Sequence, residues 1–306
     1  MKHYDKIILG SGMSSLIFYL NSKKNIKIIT SSNNKILKSK NFYENDAFGG
    51  NSNIWGGYIN FGRHKRFLNK KEYKKIFNKK LFKVKKIFKN KSIFSNTYSL
   101  VDNQDQIFRV RKDYFKNNIL NEFIKKIKIK KKFIQIETQN KSISTNKLVL
   151  CIGNLNLIKL LYNSHYINSD DTISFDDGNC SYVFNIFINQ QKNYYIPMPA
   201  KKIMEKIIFK RSKNYDLLSS SFVLQKFSKK IKNYKFSCKD LMSFDKFKLR
   251  FFLSNHVVNL KINNIPIRKF LSNKSKKIDV FCSGVLKKYL PGPVIQDLVD
   301  DIVRKK

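Results

Sequence analysis

Three observations in the 306-residue sequence predict an α/β fold built on a parallel sheet. The first 30 residues read as strand, tight turn, helix, strand. Two more β-branched apolar runs, each reaching a glycine, occur near residues 150 and 280. A stretch with helical apolar spacing follows each of these runs. Strands that alternate with helices in this way favour a sheet with helices on its faces.

The elements follow in order. Residues 6–9 (Lys6-Ile7-Ile8-Leu9) are a short apolar strand ending at Gly10. Met13, Leu16, Ile17 and Leu20 then share one helical face. Residues 21–25 are a polar turn, and residues 26–30 form the second strand, completing the opening of a βαβ unit. Residues 64–92 are lysine-dense, with Tyr73, Phe77, Leu81, Val84 and Phe88 at helical steps of four and three. Three short strands are predicted at 127–130, 133–136 and 147–152, then a helix from Leu155 to Leu161. Residues 170–270 mix short strands with lysine-rich turns and show no repeat. Residues 278–282 are a further strand. After Pro291 and Pro293 a last helix carries Ile295, Leu298, Val299 and Ile302 on one face.

Composition narrows the function. There are 62 Lys+Arg against 21 Asp+Glu, a formal charge of +41. Only 8 of the 62 are Arg, and A/T-rich codons account for much of the Lys, although not for the shortage of acids. Bidentate base readout relies on Arg, and no zinc-finger, RNP or helix-turn-helix pattern is present, so nucleic acid is not the expected partner. At 42% hydrophobic and 14% aromatic, the chain can bury a core, which argues against disorder. No apolar run reaches the roughly 18 residues of a spanning helix. The stretch from residue 7 to 20 loosely resembles a signal peptide, but Asp5 and the glycines Gly10 and Gly12 argue against that reading. Cys151, Cys180, Cys238 and Cys282 are scattered, with no Cys-x-x-Cys pair, so neither a metal site nor a disulfide framework is expected. The basic, aromatic-interleaved stretches at 63–92 and 201–213 read as solvated lysine faces over a buried stripe. Contact with an anionic membrane surface is the alternative.

Gly10-Ser11-Gly12-Met13-Ser14-Ser15 lies directly between the first strand and the first helix. This G-x-G-x-x-S pattern is a dinucleotide-binding turn. Gly10 permits the tight turn, Gly12 lets the backbone approach a pyrophosphate, and the helix start offers unpaired N–H groups. Ser15 replaces the usual third glycine. An acid is expected at the end of the second strand, where the chain reads Ile29-Thr30-Ser31. Either Thr30 or Ser31 makes a weaker hydrogen bond to the ribose, or binding there is impaired. The same pattern also fits a bare glycine turn in an ordinary α/β domain.

Three segments, in the same order, resemble the glucose–methanol–choline type of FAD-dependent oxidoreductase. The first is residues 4–12. The second is Gly49-Gly50-Asn51-Ser52-Asn53-Ile54-Trp55-Gly56-Gly57, similar to the stretch that lies along the flavin in that family. The third is residues 145–153, continuing into a helix as far as Ser164. A fourth, weaker likeness covers residues 278–284 and the Pro293 helix. Together these span about half of the chain. The resemblance implies that Gly10, Gly12, Met13, Ser14, Ser15, Thr30, Ser31, Gly49, Gly50, Asn51, Ser52, Trp55, Gly153, Ser283, Gly284 and Pro293 contact FAD. Trp55 either packs on the flavin ring, lines a substrate cavity or is a core aromatic. Ile54 occupies the position of the histidine that tethers FAD in some relatives, which implies non-covalent FAD.

The resemblance also implies alcohol oxidation, in which a base takes the hydroxyl proton while hydride passes to the flavin. His256 is the histidine nearest the expected base position. The glycine and methionine that normally follow are replaced by Asn259 and Ile262, and Gly292 stands at the second partner's position. His256 as an ordinary strand residue therefore stays open.

The expected protein is thus an FAD/NAD(P)-binding, Rossmann-like α/β domain made of residues 1–62, 100–166 and 271–306. A mixed β-rich substrate domain is inserted at 63–99 and 167–270. The leading function is a flavin-dependent oxidoreductase acting on a CH–OH group of a small alcohol, sugar or glycan precursor, with a separate electron acceptor and no metal. The alternative is a non-catalytic protein that keeps the fold and binds a nucleotide, a partner or an anionic surface. The expected location is cytoplasmic, at a membrane periphery if the charge engages one.

Overall fold

The computed structural model describes residues 1–22, 25–30, 48–50, 58–60, 69–77, 80–83, 97–101, 108–177, 182–188, 192–198, 232–239, 257–287 and 294–304. The chain runs β1 (Lys2–Leu9), α1 (Met13–Leu20), β2 (Ile26–Thr30), β3 (Tyr58–Asn60), α2 (Lys70–Phe77), β4 (Lys80–Lys83) and β5 (Thr97–Val101). A 3-10 turn at Lys112–Phe115 leads into β6 (Ile119–Asn121), β7 (Ile124–Ile129), β8 (Ile134–Thr138), β9 (Ser142–Leu150) and α3 (Asn154–Asn163). Then come β10 (Thr172–Asp177), β11 (Tyr182–Ile188), β12 (Lys192–Met198), β13 (Lys232–Ser237), β14 (Val257–Ile262) and β15 (Ile265–Pro266). The remaining described elements are α4 (Ile267–Lys274), β16 (Ile278–Val280), a 3-10 turn at Ser283–Val285 and α5 (Val294–Arg304).

The main sheet has the order β6-β2-β1-β9-β8-β7, with β16 also paired to β9. Its parallel part is β6-β2-β1-β9-β16. The strand β9 is long enough to serve two neighbours on one edge. Its first half pairs antiparallel with β8, and Leu148–Leu150 pair parallel with β16. From β1 the chain steps out through β2 to β6, then returns by the β7–β8 hairpin to β9 on the other side of β1. The carboxyl ends of β1 and β9 therefore form a topological switch point, where α/β sheets bind their ligands.

Alternation along the strands explains the two buried layers. Ile8, Ile28, Val149 and Phe281 face α1, α2 and α5, where Leu16, Ile17, Tyr73, Leu298 and Ile302 close over them. Ile7, Leu9, Ile29, Leu148, Leu150 and Val280 face the opposite way, towards Leu157, Ile158 and Leu161 of α3. Both faces are covered, so these strands read as continuous apolar runs. Arg268 of α4 fastens the last helix. Its guanidinium spans both Asp301 oxygens, at 3.4 and 2.7 Å, and donates to the Val280 carbonyl at 3.1 Å.

A second, antiparallel sheet has the order β13-β10-β14-β15 and falls within the stretch expected to be β-rich. Phe175 stacks on Phe236 there, and Ile173, Leu260 and Ile262 join the α3 layer. The α/β fold class and the three strands predicted between 124 and 150 are observed.

The single long helix expected over 64–92 is not. It spans only Lys70–Phe77, and Leu81 lies in β4 opposite Leu100 of β5. Steps of four keep residues on one face of a helix, but as even steps they also keep them on one face of a strand. The partner strand decides between the two. A capping box sets the helix start: Asn69 Oδ1 accepts from the Lys71 and Glu72 amides, and Glu72 accepts from the Asn69 amide. Tyr73 and Phe77 are buried and stack at 5.8 Å. The Tyr73 hydroxyl approaches the Gln296 carbonyl and Asp300 of α5. Residues 70–77 thus pack in the layer of α1 and α5. Among the described residues, no helix is long and apolar enough to cross a membrane.

Candidate dinucleotide site

The turn after β1 is shaped by close approach. Gly10 has φ +103°, and a Cβ on it would lie 2.4 Å from the Cys151 carbonyl oxygen. Its N–H donates to Ile29 O at 2.8 Å, while the Cys151 N–H donates to Leu9 O at 2.8 Å. Gly10 is therefore wedged between the carboxyl ends of β2 and β9. The extended residue Gly12 precedes α1, no side chain caps that helix, and its first turn carries no acid. The first helical bond runs from Leu16 N–H to Gly12 O at 3.1 Å. The amides of Met13, Ser14 and Ser15 thus have no intrahelical carbonyl, and they form the positive end of the helix.

The second glycine motif meets the first here. Gly49 and Gly50 have φ +91° and +51°. The Gly49 carbonyl oxygen lies 3.7 Å from where a Cβ of Gly12 would stand. The Gly49 N–H donates to Ser11 Oγ at 3.2 Å, and the Thr30 hydroxyl donates to the same oxygen at 3.1 Å. Gly10, Gly12, Thr30, Gly49 and Gly50, read separately in the sequence, are thus neighbours. Phe48 packs edge-on against Phe115, with the Lys112 ammonium 5.8 Å from its ring centre. Ser31, Asn51, Ser52 and Trp55 lie outside the described residues.

The ends of β9 and β16 supply the next wall. Gly153 has φ +76° and starts α3 without a capping side chain. The Asn154 amide nitrogen donates to the Ser283 hydroxyl oxygen at 2.8 Å, and its oxygen accepts from the Gly284 N–H at 3.0 Å. A Cβ on Gly284 would lie 2.6 Å from Leu260 Cβ. Ser283, Gly284 and Gly153 are therefore brought together, and Asn154 joins them. Pro293 lies outside the described residues, immediately before α5.

His256 also lies outside them, immediately before β14. Asn259, three residues on, has φ +53°. Glycine readily adopts this left-handed backbone, and Asn tolerates it better than most side chains. Asn259 Nδ2 donates to Asp176 Oδ2 at 2.7 Å, and its N–H donates to Leu286 O at 2.7 Å. The first bond joins β14 to β10 within the second sheet, and the second ties that sheet to the segment carrying Ser283 and Gly284. The contacts of Ser11 and Asn154 are not foreseen from the sequence, because each partner lies far along the chain.

The buried thiols are held in their neutral form. Burial pushes the Cys151 thiol far up, opposed by the Ser15 hydroxyl that lies against it. Among the described residues, Ser15 Oγ has no nitrogen or oxygen partner. Burial also pushes Cys282 up to about 12 and Cys238 up to about 11. The Arg109 guanidinium is lowered to about 10 by burial. No three His, Cys, Asp or Glu residues cluster as metal ligands among the described residues.

No protein-family model and no curated protein matches the chain. Among solved structures it is similar to pyridoxine 4-oxidase from Mesorbium loti, at 8% identity and TM-score 0.49, covering 98% of each chain. It is also similar to L-alpha-glycerophosphate oxidase from Mycoplasma pneumoniae with FAD bound, at 11% identity and TM-score 0.36, covering 62% of each chain. A third likeness is to thioredoxin reductase from T. acidophilum, at 12% identity and TM-score 0.25, covering 50% of this chain and 36% of that one. The fold class is carried by the register of the chain's own sheet: an α/β protein with a Rossmann-like parallel core.

Proposed function

We propose that the chain is an FAD-dependent oxidoreductase that binds its cofactor non-covalently at the switch point of the main sheet. The observation that carries this reading is the meeting of two glycine motifs at one helix start. Gly49 lies over Gly12 at the uncapped end of α1, leaving backbone rather than bulky side chains to face a ligand. A pyrophosphate would be held by the amides of Met13, Ser14 and Ser15. Gly49, Gly50, Asn51 and Ser52 would follow the rest of the cofactor, and Gly153, Ser283 and Gly284 would border it. When bound, FAD would supply the two-electron acceptor. The donor would be a CH–OH group of a small alcohol or sugar, as in the family resembled, and His256 would take the hydroxyl proton near neutral pH.

Reconstitution tests the cofactor. Full-length protein incubated with FAD and desalted should be yellow; a colourless protein would remove the reading. Flavin reduction under an alcohol and sugar panel with an artificial acceptor then tests the activity. His256→Ala should abolish that reduction while flavin stays bound.

The second reading is a non-catalytic nucleotide-binding relative, favoured by Thr30 standing bonded to Ser11 where an acid would hold a ribose. FAD uptake with no reduction across the panel would support it. The lysine-rich surface is proposed to meet an anionic membrane, and pelleting with anionic but not neutral vesicles tests that contact.

A further inference from the structure

We infer that Ser11 is a positioning residue that sets the Gly49–Gly50 segment against the Gly10–Gly12 turn, and that Thr30 acts through Ser11 rather than on a ribose. The inference rests on the proposal that FAD occupies this site.

The direction of one bond is fixed by chemistry. The Gly49 N–H can only donate, so Ser11 Oγ must accept it at 3.2 Å. The Thr30 hydroxyl reaches the same oxygen at 3.1 Å. A serine hydroxyl has two acceptor lone pairs and one proton, so Ser11 Oγ can accept from Gly49 and still bond the Thr30 hydroxyl. Ser11 and Thr30 are each 7% exposed, so water cannot readily replace either partner. Gly49 and Gly50 both have positive φ, a conformation that a glycine pair adopts as one of many. A buried anchor at Gly49 therefore selects among them.

Thr30 ends β2, where a ribose-binding acid would stand. The nearest carboxylate on the neighbouring strand end is Glu122, whose amide donates to Thr30 O at 3.1 Å. Its side chain is directed to Lys141 at 2.8 Å and Asn140 at 3.3 Å, in the β8–β9 turn. Among the described residues, this edge offers no free acid to a nucleotide. The discriminating contacts are then those of the α1 start and the Gly49–Gly50 segment, which Ser11 joins.

The test compares FAD with ADP, which lacks the flavin half, on full-length wild type, Ser11→Ala, Ser11→Thr, Thr30→Val and the Ser11→Ala/Thr30→Val double variant. FAD affinity is read by flavin fluorescence quenching and ADP affinity by calorimetry. Ser11→Ala should weaken FAD about tenfold or more, the scale of one buried bond lost. It should weaken ADP by less than about threefold, because the segment displaced is the one along the flavin. Ser11→Thr keeps the hydroxyl and should recover most of the affinity. Thr30→Val should shift the FAD-to-ADP ratio the same way but less, and the double variant should match Ser11→Ala. Equal weakening of FAD and ADP would mean general loosening and would overturn the inference. A Thr30→Val loss that adds in full to the Ser11→Ala loss would place Thr30 on the nucleotide and also overturn it. If wild type takes up no FAD, the cofactor proposal fails. The Ser11–Thr30 link is then decided by urea midpoints of the flavin-free variants, where fully additive losses overturn it.

Discussion

Gly10 approaches Cys151 so closely that a Cβ on Gly10 would stand 2.4 Å from the Cys151 carbonyl oxygen. That carbonyl is backbone, and the Cys151 amide is bonded to Leu9 O where the β1–β9 pairing ends, so it has little room to move away. With φ at +103°, Gly10→Ala adds conformational strain to the clash. The expected cost is about 3 kcal/mol or more, read as a fall in the urea midpoint. An unchanged midpoint would refute the close approach of the two strand ends.

Asn154 should behave as a two-way clamp. Asn154→Ala leaves the Gly284 N–H and the Ser283 hydroxyl without their partner, at about 1–3 kcal/mol. Asn154→Asp keeps the acceptor for Gly284 and loses the donor to Ser283. Hydrogen exchange at the Gly284 amide should therefore speed up in the alanine variant and stay slow in the aspartate variant.

Asn259 should tolerate glycine better than any branched residue. Asn259→Gly loses the bond to Asp176 but suits the left-handed backbone, so stability should change by no more than about 1 kcal/mol. Asn259→Val combines loss of that bond with a β-branched side chain at φ +53°, at a cost of about 2–3 kcal/mol. Thermal melts of the two variants check the order, and a valine variant as stable as the glycine one would refute it.

Acid should act through Glu122. The hydrogen bond from Lys141 holds its carboxyl below the usual carboxylate range, helped by Thr138 and Asn140, while desolvation opposes the shift. A carboxyl lowered on folding stabilises above its unfolded pKa, and that contribution disappears as pH falls through the folded value. The window lies below about pH 4. Urea midpoints between pH 7 and 3 should fall less steeply at the acid end in Glu122→Gln than in wild type.

Alkali should act through the thiols. Buried Cys282 and Cys238 stay neutral in the folded chain, pushed up to about 12 and about 11. The unfolded chain ionises them from about pH 8.5, so stability is lost as pH rises above that point. At pH 8 native alkylation of these two residues should run at least a hundredfold more slowly than in urea, about the ratio of thiolate fractions. Rapid modification of the native protein would contradict the burial of both thiols.

Much of this was legible in the sequence because it is local. The strand–glycine–helix order at residues 6–20 and the apolar run before Gly153 depend on neighbours in the chain. So do the three strands between 124 and 150. Where two periodicities coincide, local reading fails. Tyr73, Phe77 and Leu81 continue one helical stripe, yet Leu81 belongs to a strand because Leu100 pairs with it.

By itself the sequence determined the α/β class and the positions of the two glycine motifs, because strand runs and glycine turns are properties of short segments. Its reading of a solvated lysine face over a buried stripe holds within α2, where Lys71, Lys74 and Lys75 are exposed and Tyr73 and Phe77 buried. Tertiary structure alone decided that Ser11 receives Gly49 from 38 residues away, that Asn154 grips Gly284 from 130 residues away, and that Asn259 meets Asp176. Those bonds depend on which strand ends lie side by side. For Asn154 and Gly284 that adjacency comes from β16 pairing with β9, and for Asn259 and Asp176 from β14 pairing with β10, which no local pattern encodes.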